Sequence, residues 1–501
     1  MTTAVAEPPR AAGLLSRARL GRTFVAVALA AMVVLGAERL WVALVQPLWF
    51  DEAWTAQVAA SPDLPTFWRE LYNDIQAPLF YCAMRLWAVV AGTSDMALRA
   101  PGLIALIVAG VLPLTVKAEG LDRAARLTWG TLIYAWWGVG ALLMARVYAP
   151  LLAVSTLQAL LFVRLLAKPT RGAAWRWAGV AACAILLQYY ALLAVAAQGL
   201  VFLVARPRAV ARVWPAALAF VPAAGWMAYH APRLAQFSAM QAWHPRVGPV
   251  EALDLTAFAI DPGAPWVLAA VAAVMAVALL KTMPTGDDPP AGLSPLALTA
   301  LAAAAGLALF LLSGALQPVL TPRYLVPVVP GLLLGVVLCV RRSAEAPWLY
   351  AALVALFLGV ALRPGELTER VGGGAPYGYE TASQTLMRHG VTDVVFVWDH
   401  QAARIMAPAS MRRVGVVFFR RAGYPARVTP LAVGPGDDAN ALALAAATGA
   451  HPGIIWIYNR DSPTAARGHP PAIAARDSRW RCQRAGDATV GSLACWRQDG
   501  A

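Results

Sequence analysis

The chain has 501 residues, of which 59% are hydrophobic and only 14% charged, and its mean hydropathy is +0.59. A soluble globular chain is roughly 45–50% apolar and about 25% charged, which excludes an ordinary cytosolic enzyme. A disordered chain, rich in charge and poor in apolar residues, is excluded as well. The net charge of +14 arises from 41 basic and 27 acidic residues. In a chain this apolar, the excess reads as basic loops that orient a membrane protein, and no nucleic-acid partner is expected.

Taken in chain order, residues 1–22 form a basic arm with Arg10, Arg17, Arg19 and Arg22. A spanning helix needs roughly 20 apolar residues. Segments of this kind are expected at 23–45, 100–116, 127–144, 150–163, 177–190, 191–205, 213–229, 265–280, 294–313, 324–340 and 346–362, eleven in all. The run 78–92 is shorter and carries Arg85 in its middle. Whether it crosses decides the side of every later loop. Without it, and with the N-terminus cytoplasmic, the inner loops hold 17 Lys/Arg and the outer loops 7. Positive charge collects inside, so 78–92 is read as an amphipathic helix at the outer interface, with Phe80, Tyr81 and Trp87 suited to that depth. The expected fold is therefore a polytopic α-helical membrane protein. It has a transmembrane domain over 23–362, a first outer loop at 46–99, and an outward soluble tail over 363–501.

In the tail, Asp, Gly, Pro and Arg reappear. Strand-like runs at Val394–Trp398, Val414–Phe419, Arg427–Val433 and Ile454–Tyr458 alternate with helical stretches near 380–389, 400–407 and 438–448. That alternation predicts a small α/β domain. Gly372–Gly374 lacks the Lys-Ser/Thr of a phosphate loop and reads as a linker. Five cysteines are too few for a disulfide scaffold. Cys82, Cys183 and Cys339 sit in apolar segments, whereas Cys482 and Cys495 flank a Gly-containing turn and are candidates for a disulfide closing a hairpin in an oxidising compartment.

The most informative stretch is Trp49-Phe50-Asp51-Glu52-Ala53-Trp54, two carboxylates six residues beyond the first span. They form either a solvated turn capping the next helix or a catalytic acid at headgroup depth. Two further polar stretches follow, Asn73-Asp74-Ile75-Gln76-Ala77-Pro78-Leu79-Phe80-Tyr81 and Gly92-Thr93-Ser94-Asp95-Met96-Ala97-Leu98-Arg99-Ala100-Pro101. In this order and spacing the three stretches resemble the GT-C membrane glycosyltransferases, among them protein O-mannosyltransferases, lipid A aminoarabinose transferases and the bacterial enzymes that modify lipopolysaccharide cores. Ala145-Arg146-Val147-Tyr148 and Arg323-Tyr324-Leu325-Val326-Pro327 resemble later family segments, and 377–397 resembles the start of the periplasmic tail domain. Where the family carries His-Pro-Pro, this chain has Gln76-Ala77-Pro78. Where it has an acid before Ala-Arg-x-Tyr, Leu143 and Met144 stand, and Gln188 replaces a later His.

The resemblance implies transfer of a sugar from a polyprenyl-phosphate donor to a hydroxyl of a glycan, lipid or protein acceptor, at the outer face of a bacterial inner membrane. Such chemistry needs a base for the acceptor proton and cations for the departing phosphate. Asp51 is the expected base, with Glu52 as its pKa-tuning partner or a helix cap. Asp74, Gln76 and His244 are candidates for the acceptor or sugar side, and Arg146, Tyr148, Arg323 and Tyr324 for the donor phosphate. Asp51 and His230 are the candidates for a divalent metal ion, the one cofactor the residues leave open. A transporter or flippase is a second reading. It would place ionisable groups at the midplane, where Glu38 and Arg39 are the main exception to an acid-free interior. An inactive partner subunit is a third.

Overall fold

The computed structural model describes residues 10–46, 48, 50–115, 120–136, 145–240, 246–260, 265–281, 293–318, 320–363, 378–400, 403, 405–421, 423–432, 438–449, 451–458, 462, 473–486 and 491–498, with side chains from Thr23 onward. Among the described residues sixteen α-helices precede the tail. They are α1 (Arg10–Val45), α2 (Phe50–Ala59), α3 (Leu64–Asn73), α4 (Pro78–Ala91), α5 (Asp95–Thr115), α6 (Arg123–Ala135), α7 (Tyr148–Ala167), α8 (Arg171–Leu187), α9 (Ala191–Ala205), α10 (Val210–Val213), α11 (Val221–Met240), α12 (Pro249–Ile260), α13 (Pro265–Leu280), α14 (Pro295–Leu316), α15 (Val329–Arg341) and α16 (Ala346–Ala361).

Helical residues occur in each of the eleven expected segments; the part of one at 137–144 lies outside the described residues. Among the described residues, six helices are long and apolar enough to cross a membrane: Thr23–Val45, Asp95–Thr115, Tyr148–Ala167, Pro207–Ala239, Pro295–Leu316 and Pro322–Arg341. Shorter apolar helices lie at Pro78–Ala91, Ala191–Ala205, Trp266–Leu280 and Ala346–Ala361. Their outward faces carry large apolar side chains such as Val33, Val34, Val89, Val90, Leu280 and Trp348, as lipid rather than water would require. Local signals set the ends. Asp63, Asp122, Thr170 and Ser294 each accept a backbone N–H three residues on, and so cap α3, α6, α8 and α14. Helices α5 and α6 cross closely because Gly110 faces Gly130; a Cβ on Gly110 would lie 2.8 Å from that of Tyr134.

Helix α4 differs from the expectation in its orientation. Phe80 and Tyr81 are buried within the protein, and Leu86, Val89 and Val90 form the exposed face. The aromatic residues that suited an interface serve the interior instead, because Tyr81 has polar partners there.

The tail contains a five-stranded sheet of order β2-β1-β3-β5-β4, formed by β1 (Asp393–Trp398), β2 (Arg427–Ala432), β3 (Pro452–Tyr458), β4 (Trp480–Gly486) and β5 (Gly491–Arg497). Strands β1, β2 and β3 are parallel, and β5 and β4 continue the sheet antiparallel. Helices α17 (Tyr379–Arg388), α18 (Pro408–Arg421), α19 (Asp438–Thr448) and α20 (Ile473–Arg476) complete it. Val414–Phe419, expected as a strand, belongs to α18. Its buried residues Ser410, Met411, Val414, Gly415, Phe418 and Phe419 recur with helical period, so tertiary packing overrides the β-branched composition. Residues 400–407, expected as a helix, form no α-helix among those described, since Pro408 opens α18 and disfavours helical backbone before it. The Gly372–Gly374 linker lies outside the described residues.

Cys482 and Cys495 face each other in the β4–β5 register and are joined as a disulfide. Closing a loop of 13 residues stabilises a domain by about 2–4 kcal/mol. Non-reducing peptide mapping should recover these two cysteines as one linked fragment, and the double Cys→Ser variant should lower the melting temperature of the tail. Two free thiols in protein isolated under alkylating conditions would contradict the pairing.

Candidate functional site

The site begins with a buried ion pair. Glu52, in the first turn of α2, is 1% exposed, and Arg99, in the first turns of α5, is 4% exposed. Arg99 Nε donates to Glu52 Oε1 at 2.9 Å and Nη2 to Oε2 at 2.6 Å, the two-pronged geometry that makes Arg–carboxylate pairs strong. Arg99 Nη1 also donates to the carbonyls of Ala43 and Gln46, at 3.0 and 2.6 Å, at the end of α1. The backbone N–H of Ala145 donates to Glu52 Oε1 at 2.6 Å. One carboxylate thus fixes the end of α1, the starts of α2 and α5, and the segment entering α7.

Asp51, the preceding residue, is partly open, with its side chain 28% exposed. Its Oδ2 lies 3.8 Å from Arg146 Nη2 and 3.6 Å from Arg323 Nη1. Both are ion-pair distances longer than hydrogen bonds. The buried Nε atoms of Arg146 and Arg323 have no hydrogen-bond partner among the described residues. Two guanidinium groups therefore converge on one carboxylate with donors unspent. Arg323 also lies over the Tyr148 ring, 5.6 Å from its centroid, and Tyr324 stacks on Tyr190 at 4.8 Å. Arg146, Tyr148, Arg323 and Tyr324 thus gather with Asp51 at one place.

Asp74 joins this group through Tyr81. The Tyr81 hydroxyl donates to Asp74 Oδ2 in a short hydrogen bond, and Arg146 Nη1 donates to the Tyr81 oxygen at 3.2 Å. Burial, reinforced by the Asp74 carboxylate, pushes the Tyr81 phenol well above the usual tyrosine range, so it stays a donor. Burial works against the Arg146 charge, but Asp51 and Tyr81 beside it outweigh that and raise its pKa.

Gln76 is turned elsewhere, its Nε2 donating to the Leu187 carbonyl at 2.8 Å. His244 lies outside the described residues. His230 has both ring nitrogens engaged: Nε2 is 2.9 Å from the Tyr72 carbonyl, and Nδ1 is 2.7 Å from the Tyr189 hydroxyl. A carbonyl only accepts, so Nε2 carries the proton and Nδ1 accepts from Tyr189. With His230 so engaged and Asp51 facing two guanidinium groups, these residues do not fit a divalent cation. No group of three or more His, Cys, Asp or Glu that could hold a metal occurs among the described residues.

The tail is clamped to the segment between α1 and α5. Arg413 of α18 pairs with the fully buried Glu70 and donates through Nε to Gln57 Oε1 at 2.9 Å. Arg421 pairs with Asp95 and donates to the Thr93 carbonyl at 3.0 Å. Arg233 of α11 donates to the carbonyls of Asn73 and Ile405, each at 2.9 Å. Phe50 stacks on Trp398 at 4.5 Å. Of these contacts, sequence reading had assigned none. Tyr81 had a weak signal, standing seven residues after Asp74 in a polar stretch; Glu70 and Arg413 had none, since their pairing spans 343 residues.

No family model matches the chain, and no curated protein matches it. Among solved structures, the chain is similar to ArnT from Cupriavidus metallidurans bound to undecaprenyl phosphate, with a TM-score of 0.57 and 14% identity, over 97% of this chain and 98% of that one. It is also similar to the apo state of ArnT from Cupriavidus metallidurans, with a TM-score of 0.57 and 14% identity, over 95% of this chain and 97% of that one. The chain therefore shares the ArnT fold along nearly its whole length.

Removing one member of a buried ion pair costs about 3–5 kcal/mol, because the other charge is stranded. Glu52→Ala should accordingly depress the thermal midpoint of detergent-purified protein strongly, whereas Asp51→Asn should leave it close to wild type. Glu52→Leu combined with Arg99→Met should recover part of the loss. Equal midpoints for Glu52→Ala and Asp51→Asn would show that the pair does not carry the fold.

Proposed function

We propose that the protein is an integral membrane glycosyltransferase that moves a sugar from a polyprenyl-phosphate donor to an acceptor hydroxyl on the outer membrane face. The observation that carries this reading is the convergence of Arg146 and Arg323 on Asp51 with buried, unpartnered Nε donors. A phosphate offers oxygens that match such forks. The solved structure of similar fold with bound undecaprenyl phosphate supports a lipid-phosphate donor, as do the ordered outer-loop motifs.

In this reading the acceptor hydroxyl gives its proton to Asp51 as its oxygen bonds to the anomeric carbon. The bond from that carbon to the phosphate oxygen breaks, and the electron pair leaves with the phosphate. Arg146 and Arg323 take the growing charge, with Tyr148 and Tyr324 shaping their side of the site. Glu52 acts as a positioning residue through Arg99. Asp74, held by Tyr81, is the second acid at the same surface. Eleven spans with the basic arm inside would leave the first outer loop and the tail on one side, and the donor's tail in lipid. The membrane proposed is a bacterial plasma membrane.

Asp51→Asn should lower transfer by about 10²–10⁴-fold, the usual contribution of a general base, with normal membrane insertion. Arg323→Ala should raise the donor KM by roughly tenfold to a hundredfold. Mass analysis of cell-surface lipids and glycans, with and without the gene and with each variant, reads the transfer, and initial rates of the purified protein at varied donor concentration read the KM. Intact transfer by Asp51→Asn would sink the assignment. Movement of substrate across proteoliposomes without new glycosidic bonds would favour a transporter.

A further inference from the structure

The membrane domain holds a groove that the chemistry at Asp51 leaves unused. It has a volume of about 980 Å³ and is walled by α1, the start of α6 and α16. Phe24, Val27 and Ala31 of α1 line it, with Leu127 of α6 and Val354 and Leu358 of α16. The groove lies at the far end of α1 from the carboxylate site. Arg99 holds the Ala43 carbonyl near the last turn of α1, whereas the groove begins at Thr23, about 30 Å away at 1.5 Å per residue.

Helix α1 is thinly packed. In the apolar window of Thr23–Val45 only 22% of the residues are buried, against 78% for Tyr148–Ala167. An apolar void beside such a helix forfeits dispersion contacts along its walls. Within a bilayer, the filling at hand is an acyl chain.

The end of the groove is charged. Glu345 and Trp348 line it there, and Trp348 is 58% exposed, as suits headgroup depth. Arg123 directly precedes the lining residue Ala124, and Arg342 stands two residues before the lining residue Ala344. Arg341 Nη1 comes within 3.8 Å of where a Cβ on Gly120 would stand. The charges of Arg341 and Asp122 both act on the hydroxyl of Tyr350, another lining residue. Arg123, Arg341 and Arg342 are all exposed. The acids at this end are Glu345 and Asp122, and Asp122 is committed to capping α6 through the Ala125 N–H at 2.7 Å. Three guanidinium groups thus stand against two carboxylates. Basic pockets between spanning helices attract anionic lipid headgroups, and guanidinium forks match phosphate oxygens.

We propose that this groove binds one anionic glycerophospholipid of the bilayer, with an acyl chain between α1 and α16 and its phosphate on Arg123, Arg341 and Arg342. The lipid braces α1, the helix whose other end is held by Arg99. This inference rests on the membrane character of the chain and not on the transfer chemistry.

The test uses the full chain in detergent, with phosphatidylglycerol and phosphatidylethanolamine of identical acyl chains as probes. Native mass spectrometry should show wild type retaining one phosphatidylglycerol, roughly tenfold in preference to phosphatidylethanolamine, and phosphatidylglycerol should raise its thermal midpoint. Ala355→Trp, at an exposed lining position, should fill the groove and abolish both effects while keeping the midpoint of the lipid-free protein. Val27→Trp, also exposed and lining, should do the same and covers the case in which Ala355→Trp fails to fold. Arg123→Gln combined with Arg342→Gln should remove the preference, lowering retained phosphatidylglycerol roughly tenfold and leaving phosphatidylethanolamine unchanged. Equal retention of the two lipids by wild type would overturn the site, as would phosphatidylglycerol binding that all these variants keep. Displacement of phosphatidylglycerol by undecaprenyl phosphate would assign the groove to the donor and overturn it too. A transfer activity lost in Asp51→Asn but kept in Ala355→Trp separates this inference from the glycosyltransferase reading.

Discussion

The arrangement depends on one interaction, the buried pair of Glu52 and Arg99. Two charges taken out of water are tolerable only when nearly every donor and acceptor is matched, and here the matching extends beyond the pair. Arg99 also holds two carbonyls at the end of α1, and Glu52 accepts the N–H of Ala145. Two of the groups so fixed are sequence neighbours of candidate site residues: Asp51 precedes Glu52, and Arg146 follows Ala145. Adjacent acids have divided the work. One is committed to architecture, and the other is left partly open beside two guanidinium groups.

A second layer repeats that logic with weaker groups. Tyr81 is held as a donor by burial and by Asp74, and its oxygen receives Arg146. This orients Arg146 without using its Nε, which stays unpartnered among the described residues. Preorganised donors of this kind act strongly where water is excluded, since no reorganisation is needed as charge develops. Aromatic stacking of Tyr324 on Tyr190, and of Tyr190 on Phe310, supports the other side of the group.

Much of this was legible in the sequence, for identifiable reasons. Spanning helices announce themselves through length and apolarity, so helical residues occur in each expected segment, and six helices among the described residues are long and apolar enough to cross. Asp51, Arg146, Tyr148, Arg323 and Tyr324 stood out as candidates because charged or polar residues at helix ends contrast with an apolar background, and the structure brings them together. The errors also have physical causes. Residues 414–419 look like a strand by composition, yet their burial repeats with helical period. Phe80 and Tyr81 were assigned to the interface because belts and buried partners use the same residue types, and only the fold shows that Tyr81 has Asp74 to bind. The pairing of Glu52 with Arg99, and of Glu70 with Arg413, is long-range. No local pattern distinguishes a carboxylate that will be buried against a distant arginine from one that will face water.

The clamp between the tail and the segment joining α1 to α5 has a consequence for biogenesis. Glu70 waits for Arg413, and Gln57 for the same side chain, across 343 and 356 residues of chain. At about 5–20 residues per second of synthesis, the early loop stands roughly 20–70 s without its partner. During that interval a buried-to-be carboxylate is hydrated and Phe50 lacks its aromatic neighbour. A nascent or prematurely terminated chain therefore carries Glu70 and Gln57 without the arginine that they bind. Completion of the last domain is what supplies Arg413 to Glu70 and Trp398 to Phe50, so this part of the fold closes only after the whole chain is made.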